Sequence, residues 1–371
     1  MEEHTDKIVV ADSNTQKDEP EGYDKTPPSD LGKYPIDSVL IRTENRTIYE
    51  IIRRINNDQY ILNPDFQRDF VWDEDKQSKL IESVLMRIPL PVLYLAERED
   101  GKIVVVDGLQ RLTTFRNFLD NSLKLKGLVG KNETLNTKIF DELPPKLQNR
   151  IEDTNLILYL IDSKVPEQAR LDIFERVNGG VPLTRQQMRN CIYMGKATTW
   201  LKEYAQNESF LKATGCSFDY KTMRDRECIN RFCGFYLLGV EKYDNMDGFL
   251  AETLKYMNTM VDDDLEKLSK SFIDSMENNY IVFGKYAFRK HTSSDNNRYK
   301  INVSLFDVYS VFLAKYEREQ VITKADIIRD NFYILMKDEK FIKSITSATN
   351  DKGRVSTRFE CVEKTFLDIF G

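Results

Sequence analysis

The short run Asp107-Gly108-Leu109-Gln110-Arg111 closes a valine stretch and opens a helical pattern, and its residue types are those that handle phosphate. A buried strand that breaks at a glycine and restarts as a helix points its unpaired backbone N–H groups into the turn. Those donors and the helix dipole both favour an anion there. Arg111 can fork onto phosphate oxygens, Thr113 and Thr114 add hydroxyl donors, and Asp107 can orient a water or metal ion or hold Arg111. The competing reading needs no ligand: Asp107 as N-cap and Gln110 at the third helical position form a capping-box-like pair. Both stand on spacing alone.

Three further stretches carry candidate chemistry. In NPDFQRDFVW, Gln67 and Arg68 lie between aromatics in a proline-broken loop. That arrangement suits a pocket where arginine meets phosphate and an aromatic stacks on a base, or a loop whose Phe66, Phe70 and Trp72 plug the core. In FERVNGGVPLTRQQMRN, Asn178, Gly179 and Gly180 form either a plain inter-helix turn or a backbone cradle near Arg189. The run KYAFRKHTSSDNNRYK interleaves Lys285, Arg289, Lys290, Arg298 and Lys300 with aromatics. It reads as a nucleic-acid-facing surface or a solvated basic loop.

Composition narrows the chemistry. Only His4 and His291 occur in 371 residues, so histidine-rich zinc sites, His-Asn-His nuclease centres and histidine-based triads lack their imidazoles. Cys228 and Cys233 lie close together without a second pair of matching spacing, so no metal site built from protein ligands alone is expected, and buried thiols are the plainer reading. Five scattered cysteines point to a reducing, cytoplasmic compartment. No run approaches the roughly 18 apolar residues of a membrane helix. The net charge of −6 argues against a uniformly basic nucleic-acid binder while leaving room for a local patch. No Walker-type loop occurs, since KGLVGK is too short and lacks the hydroxyl.

The elements that must position these residues follow from periodicity. Residues 1–34 are acidic, polar and proline-containing, which predicts a disordered tail. A short strand and a helix opening near Thr47 follow, with Ile51, Ile52 and Ile55 inward. DEDKQSKLIESVLMRI is an amphipathic helix with Leu80, Ile81, Val84, Leu85 and Ile88 on one face. VLYLAERED and GKIVVVDG predict two strands joined at Asp100-Gly101, and ILYLIDS predicts another. Beyond Pro166 helical periodicity dominates, including a helix over TRQQMRNCIYMG with a Thr184/Gln187 capping box and a terminal Gly195. The expected fold is α+β: a small mixed α/β domain over 35–165, then a mostly helical domain over 166–371.

Three ordered motifs make the chain resemble a family. PDFQRDFVWDEDKQSKLIESVLMRIPLPVLYL, VVVDGLQRLTTFRNFL and IFERVNGGVPLTRQQMRNCIY are similar to the N-terminal domain of GmrSD-type modification-dependent restriction endonucleases, which is ParB/sulfiredoxin-like. The resemblance implies an NTP with Mg²⁺ as ligand, held by Gln67, Arg68, Gly108, Arg111, Thr113, Thr114, Asn178 and Gly180. It gives Asp107, Gln110 and Arg111 the catalytic roles of any hydrolysis. It further implies coupling to DNA recognition, with a separate nuclease subunit making the cut, and leaves room for an oligomer. The family's motif is usually Asp-Gly-Gln-Gln-Arg; here Leu109 replaces the first glutamine, which makes hydrolysis less secure than binding. The alternative is a ParB-like adaptor for DNA or protein that turns over no nucleotide.

Overall fold

The structure, a computed structural model, describes residues 20–22, 41–62, 72–98, 100–166, 169–173, 184–294 and 299–371. It is an α+β fold around one mixed sheet.

β1 (Ile41–Thr47) runs into α1 (Ile48–Asn56), whose start is set by Thr47: its hydroxyl accepts from the Glu50 amide. Ile48, Ile51, Ile52 and Ile55 form the buried stripe of α1. After β2 (Tyr60–Ile61) comes α2 (Glu74–Leu85), capped by Asp73 and burying Leu80, Ile81, Val84 and Leu85. The expected fifth member of that face, Ile88, is exposed, because α2 ends at Leu85 and Arg87 turns into the left-handed region at φ 59°. β3 (Leu93–Glu97) and β4 (Ile103–Asp107) form the expected hairpin, closed by Gly101 at φ 76°. α3 (Leu109–Leu119), α4 (Pro145–Glu152) and β5 (Asn155–Ile161) complete this part.

The strand order is β1-β5-β3-β4-β2, with β1–β5 and β3–β4 antiparallel and β3–β5 and β2–β4 parallel. The valine run of β4 is explained by this sheet. Val105 packs with α1, α2 and α3 on one face, while Val104 and Val106 pack into the helical core on the other. Successive strand residues point to opposite faces, so a strand covered on both sides is apolar throughout.

The helical part begins with helical residues 169–173 and α5 (Arg185–Ile192), which lies against β4. The Thr184/Gln187 capping box is formed: the Thr184 hydroxyl accepts from the Gln187 amide at 3.2 Å, and Gln187 Oε1 accepts from the Thr184 amide at 2.7 Å. Gly195 does not terminate this helix. It precedes α6 (Lys196–Tyr204), and Tyr193 ends α5. There follow α7 (Glu208–Thr214), α8 (Arg224–Leu237), α9 (Met246–Thr259), α10 (Asp262–Phe283), α11 (Val303–Leu313), α12 (Arg318–Leu335), α13 (Glu339–Thr346) and α14 (Lys352–Phe370). At their centre Asp307 takes Arg231 in a two-pronged pair at 2.7 and 2.6 Å and Arg358 at 2.7 Å, all buried.

Of the expected disordered tail, residues 20–22 are described, and they are held in place. The Glu21 amide donates to the Ile301 carbonyl at 2.7 Å, and the Val303 amide donates to the Glu21 carbonyl at 3.0 Å. Backbone pairing of this kind, reinforced by Lys290 on the Glu21 carboxylate at 2.6 Å, overrides the polar composition of the segment.

Candidate functional site

The site is built where β4 ends. The register of β3 against β4 slips between Tyr94 and Leu95: Tyr94 faces Asp107 and Leu95 faces Val105, which leaves Val106 as an extra residue. A bulge of this kind re-aims the strand end that follows it, and that end is Asp107. Gly108 then takes φ 107°, ψ 10°, and is the N-cap of α3. An alanine Cβ at Gly108 would stand 2.1 Å from Leu93 Cδ2, so both the backbone and the packing require glycine.

This geometry decides against the capping reading of Asp107. The carboxylate lies one residue too early, and among the described residues no side chain caps α3. Asp107 Oδ2 instead accepts from Arg111 Nη2 at 2.9 Å. The side chain of Asp107 is 39% exposed and that of Arg111 is 11% exposed, so the carboxylate is the outward member of the pair. Arg111 also donates to the carbonyls of Pro91 and, at 3.1 Å, Val92, which ties the approach to β3 onto α3. Burial lowers the pKa of the Arg111 guanidinium, while the charge of Asp107 and its hydrogen bond act in the opposite direction. Arg111 nevertheless stays a cation.

The neighbouring residues divide between the site and its frame. Gln110 Oε1 accepts from the Trp72 amide at 3.4 Å, and the Gln77 side chain donates to the Trp72 carbonyl at 3.0 Å. Trp72 is the first described residue after Gln67 and Arg68 in the sequence, and these two bonds fasten its backbone at the start of α3. Gln67 and Arg68 themselves, and Asn178 and Gly180, lie outside the described residues. Thr113 is half-buried. Thr114 is fully buried and donates to the Gln110 carbonyl at 2.8 Å, so its hydroxyl serves the helix and not an open ligand site. Sequence reasoning passed over Gln77, the Pro91 and Val92 carbonyls and the extra residue Val106; none has a composition signal, because each depends on pairing across the fold.

Two expected sites are overturned in part. Arg189 does not face a ligand: it is 1% exposed and donates to Asp247 Oδ1 at 2.8 Å and to Gln186 Oε1 at 2.7 Å. Arg289 does not belong to a nucleic-acid surface. It is 1% exposed, and its guanidinium donates to the carbonyls of Tyr299 at 2.8 Å, Ala287 at 2.7 Å and Thr214 at 2.6 Å, so it staples the loop after α10 to the end of α7. Lys290 is paired with Glu21, and Lys285 stands 5.0 Å from the Tyr286 ring centre. Lys300 is exposed, and Arg298 lies outside the described residues. The thiols of Cys191, Cys228 and Cys233 are buried, and burial pushes each well above its usual value, which keeps them unreactive.

Fold and site together define an α+β domain organised around a strand–glycine–helix turn with an aspartate–arginine pair. Residues 48–194 match the family described as GmrSD restriction endonuclease, N-terminal domain. The match takes in the sheet from α1 onward and extends through α5. It ties the protein to a role related to restriction and phage defence. No curated protein matches the chain. Among the described residues, no helix is long and apolar enough to cross a membrane.

Proposed function

We propose that the protein binds a nucleoside triphosphate at the β4–α3 turn and couples that binding to DNA recognition in a restriction system, with a separate nuclease making the cut. The observation that carries this reading is the start of α3. Among the described residues no side chain caps it, a left-handed glycine precedes it, and an outward carboxylate stands beside it on a fixed arginine. Uncapped first-turn amides at a helix start are donors for phosphate oxygens.

The geometry refines the roles. Arg111 acts as a fixed positive charge behind the turn, because its donors already hold Pro91, Val92 and Asp107. Gln110 accepts from the Trp72 amide and so fixes the backbone at Trp72 beside the turn. Gly108 allows close backbone approach, and Thr113 flanks it one turn along α3. Asp107 suits Mg²⁺: a hard cation of this kind is commonly held by one or two carboxylates together with substrate phosphates and water. The ion would neutralise charge on the phosphates.

A second reading, an adaptor that holds a partner without nucleotide, is favoured by one observation. Arg111 is engaged by protein groups on three sides, and Leu109, where the family usually has glutamine, is only 9% exposed. NTP-binding and hydrolysis assays on wild type, Asp107→Asn and Arg111→Ala separate the two. The nucleotide reading expects binding that both substitutions weaken; the adaptor reading expects DNA or partner binding indifferent to nucleotide and to Asp107→Asn.

A further inference from the structure

At the same end of the sheet as the β4–α3 turn lies a cleft of about 510 Å³ between the end of α2 and the exposed side of α4. The two sites flank one segment. Pro89 and Leu90 line the cleft, and the next two carbonyls, of Pro91 and Val92, are those held by Arg111. Among the described residues the cleft carries Arg87, Lys146 and Arg150 against a single carboxylate, Asp153, in a chain whose net charge is −6. Lys146, Asn149, Arg150 and Asp153 follow the i, i+3, i+4, i+7 spacing of one helical face, so α4 presents this charge as a stripe.

Arg87 and Lys146 are exposed, and their side chains have no hydrogen-bond or ion-pair partner among the described residues. Arg150 is half-buried and donates to the Leu85 carbonyl at 2.9 Å, which fixes its guanidinium at the end of α2. Arg87 is also one of eight non-glycine residues at positive φ among the described residues. The Arg87 amide donates to the Val84 carbonyl and the Ile88 amide to the Ser83 carbonyl, each at 2.9 Å, so α2 ends in a Schellman closure with Arg87 in the left-handed position at φ 59°. Glycine is the residue that position ordinarily takes, and a side chain there carries strain. Here the fold retains a long cation at a position where removing the side chain would relax the backbone.

We infer that this cleft is a binding site for the phosphodiester backbone of DNA, with Arg87 and Lys146 as mobile phosphate contacts and Arg150 as a fixed one. Exposed, unpaired cations and side-chain amides on a shallow surface suit phosphates that run past it, and such contacts position a duplex without reading its sequence. The assignment replaces the 285–300 segment as the DNA-facing surface and rests on the restriction-related reading above. It places DNA and nucleotide on opposite sides of residues 89–92, so a shift of this segment could report one ligand to the other.

The test is fluorescence anisotropy with a labelled DNA duplex across a salt series, using wild type, Arg87→Gly, Lys146→Gln and the double variant. Nucleotide binding is followed in parallel by thermal shift. Each phosphate contact removed is expected to lower the slope of log affinity against log salt by about 0.9, and the double variant by about twice that. Arg87→Gly should at the same time raise the melting temperature by a few degrees, since it relieves the left-handed strain; lower DNA affinity in a more stable protein cannot come from misfolding. Nucleotide binding should be unchanged in all three variants. A wild type that binds no DNA, or variants that keep its salt slope, overturns the inference. Loss of nucleotide affinity with DNA binding intact also overturns it, because the cleft would then belong to the nucleotide. DNA affinity lost in the variants of a protein that binds no nucleotide supports the cleft and removes the nucleotide reading of the turn.

Discussion

Replacing Gly108 with alanine adds one carbon, and the structure sets what that carbon costs. At φ 107° an L-residue sits outside its favoured backbone regions, a penalty of about 1–2 kcal/mol. The new Cβ would also stand 2.1 Å from Leu93 Cδ2, and Leu93 is 1% exposed in the core under the sheet. Its side chain therefore has little room to move, and overpacking of this kind costs about 1–3 kcal/mol more. The expected total is roughly 2–5 kcal/mol, a large share of the about 5–15 kcal/mol that holds a domain folded. Urea denaturation read by circular dichroism gives the number from the midpoint shift at constant slope. A double-mutant cycle with Leu93→Ala then separates the two parts. Leu93→Ala alone should cost about 2–5 kcal/mol, but in its presence Gly108→Ala should keep only the backbone penalty, about 1–2 kcal/mol. If Gly108→Ala falls within about 0.5 kcal/mol of wild type, the strained-turn geometry is wrong. If its cost is the same in both backgrounds, Leu93 is not what the new methyl meets.

Two further outcomes follow from buried charges in the helical part. Asp307→Asn removes the carboxylate that, among the described residues, holds the buried Arg231 and Arg358, and should cost about 3–5 kcal/mol, measured in the same denaturation assay; a loss below about 1 kcal/mol would mean the arginines find other partners. Asp225 is 8% exposed, and burial raises its carboxyl from 3.8 to about 6, against the opposing Arg226 amide and charge. The fold thus prefers the protonated acid, so this group's contribution is fully present below about pH 3.8 and is lost as pH rises through about 6, a span worth about 3 kcal/mol. Asp225→Asn should therefore stabilise the protein near about pH 8 and lose that advantage by about pH 4; a pH-independent difference would contradict the assignment.

Much of this architecture can be read from residue spacing. The Thr47 and Thr184 caps, the Asp100-Gly101 hairpin and the apolar face of α2 all rest on local physics: a hydroxyl three residues before an amide, or a stripe at helical period. Failures occur where a partner lies far along the chain. Asp107 looks like a cap in sequence, but its bond to Arg111 depends on where β3 places the Pro91 and Val92 carbonyls. Arg289 looks like a surface cation, yet the Thr214 carbonyl that buries it is 75 residues away. The cationic stripe of α4 went unread for the opposite reason. PKLQNRIED has no aromatic interleaving to draw attention, and only the end of α2 folding beside it makes a cleft.

The central claim is that the β4–α3 turn holds a nucleotide, and thermal unfolding of the wild-type protein with each of the four ribonucleoside triphosphates and Mg²⁺ tests it most directly. One or more should raise the melting temperature, since a ligand at about 100 times its dissociation constant adds about 2.7 kcal/mol to stability, and Asp107→Asn should reduce or abolish the rise. A wild-type protein whose melting temperature is unmoved by all four at millimolar concentration would contradict the account.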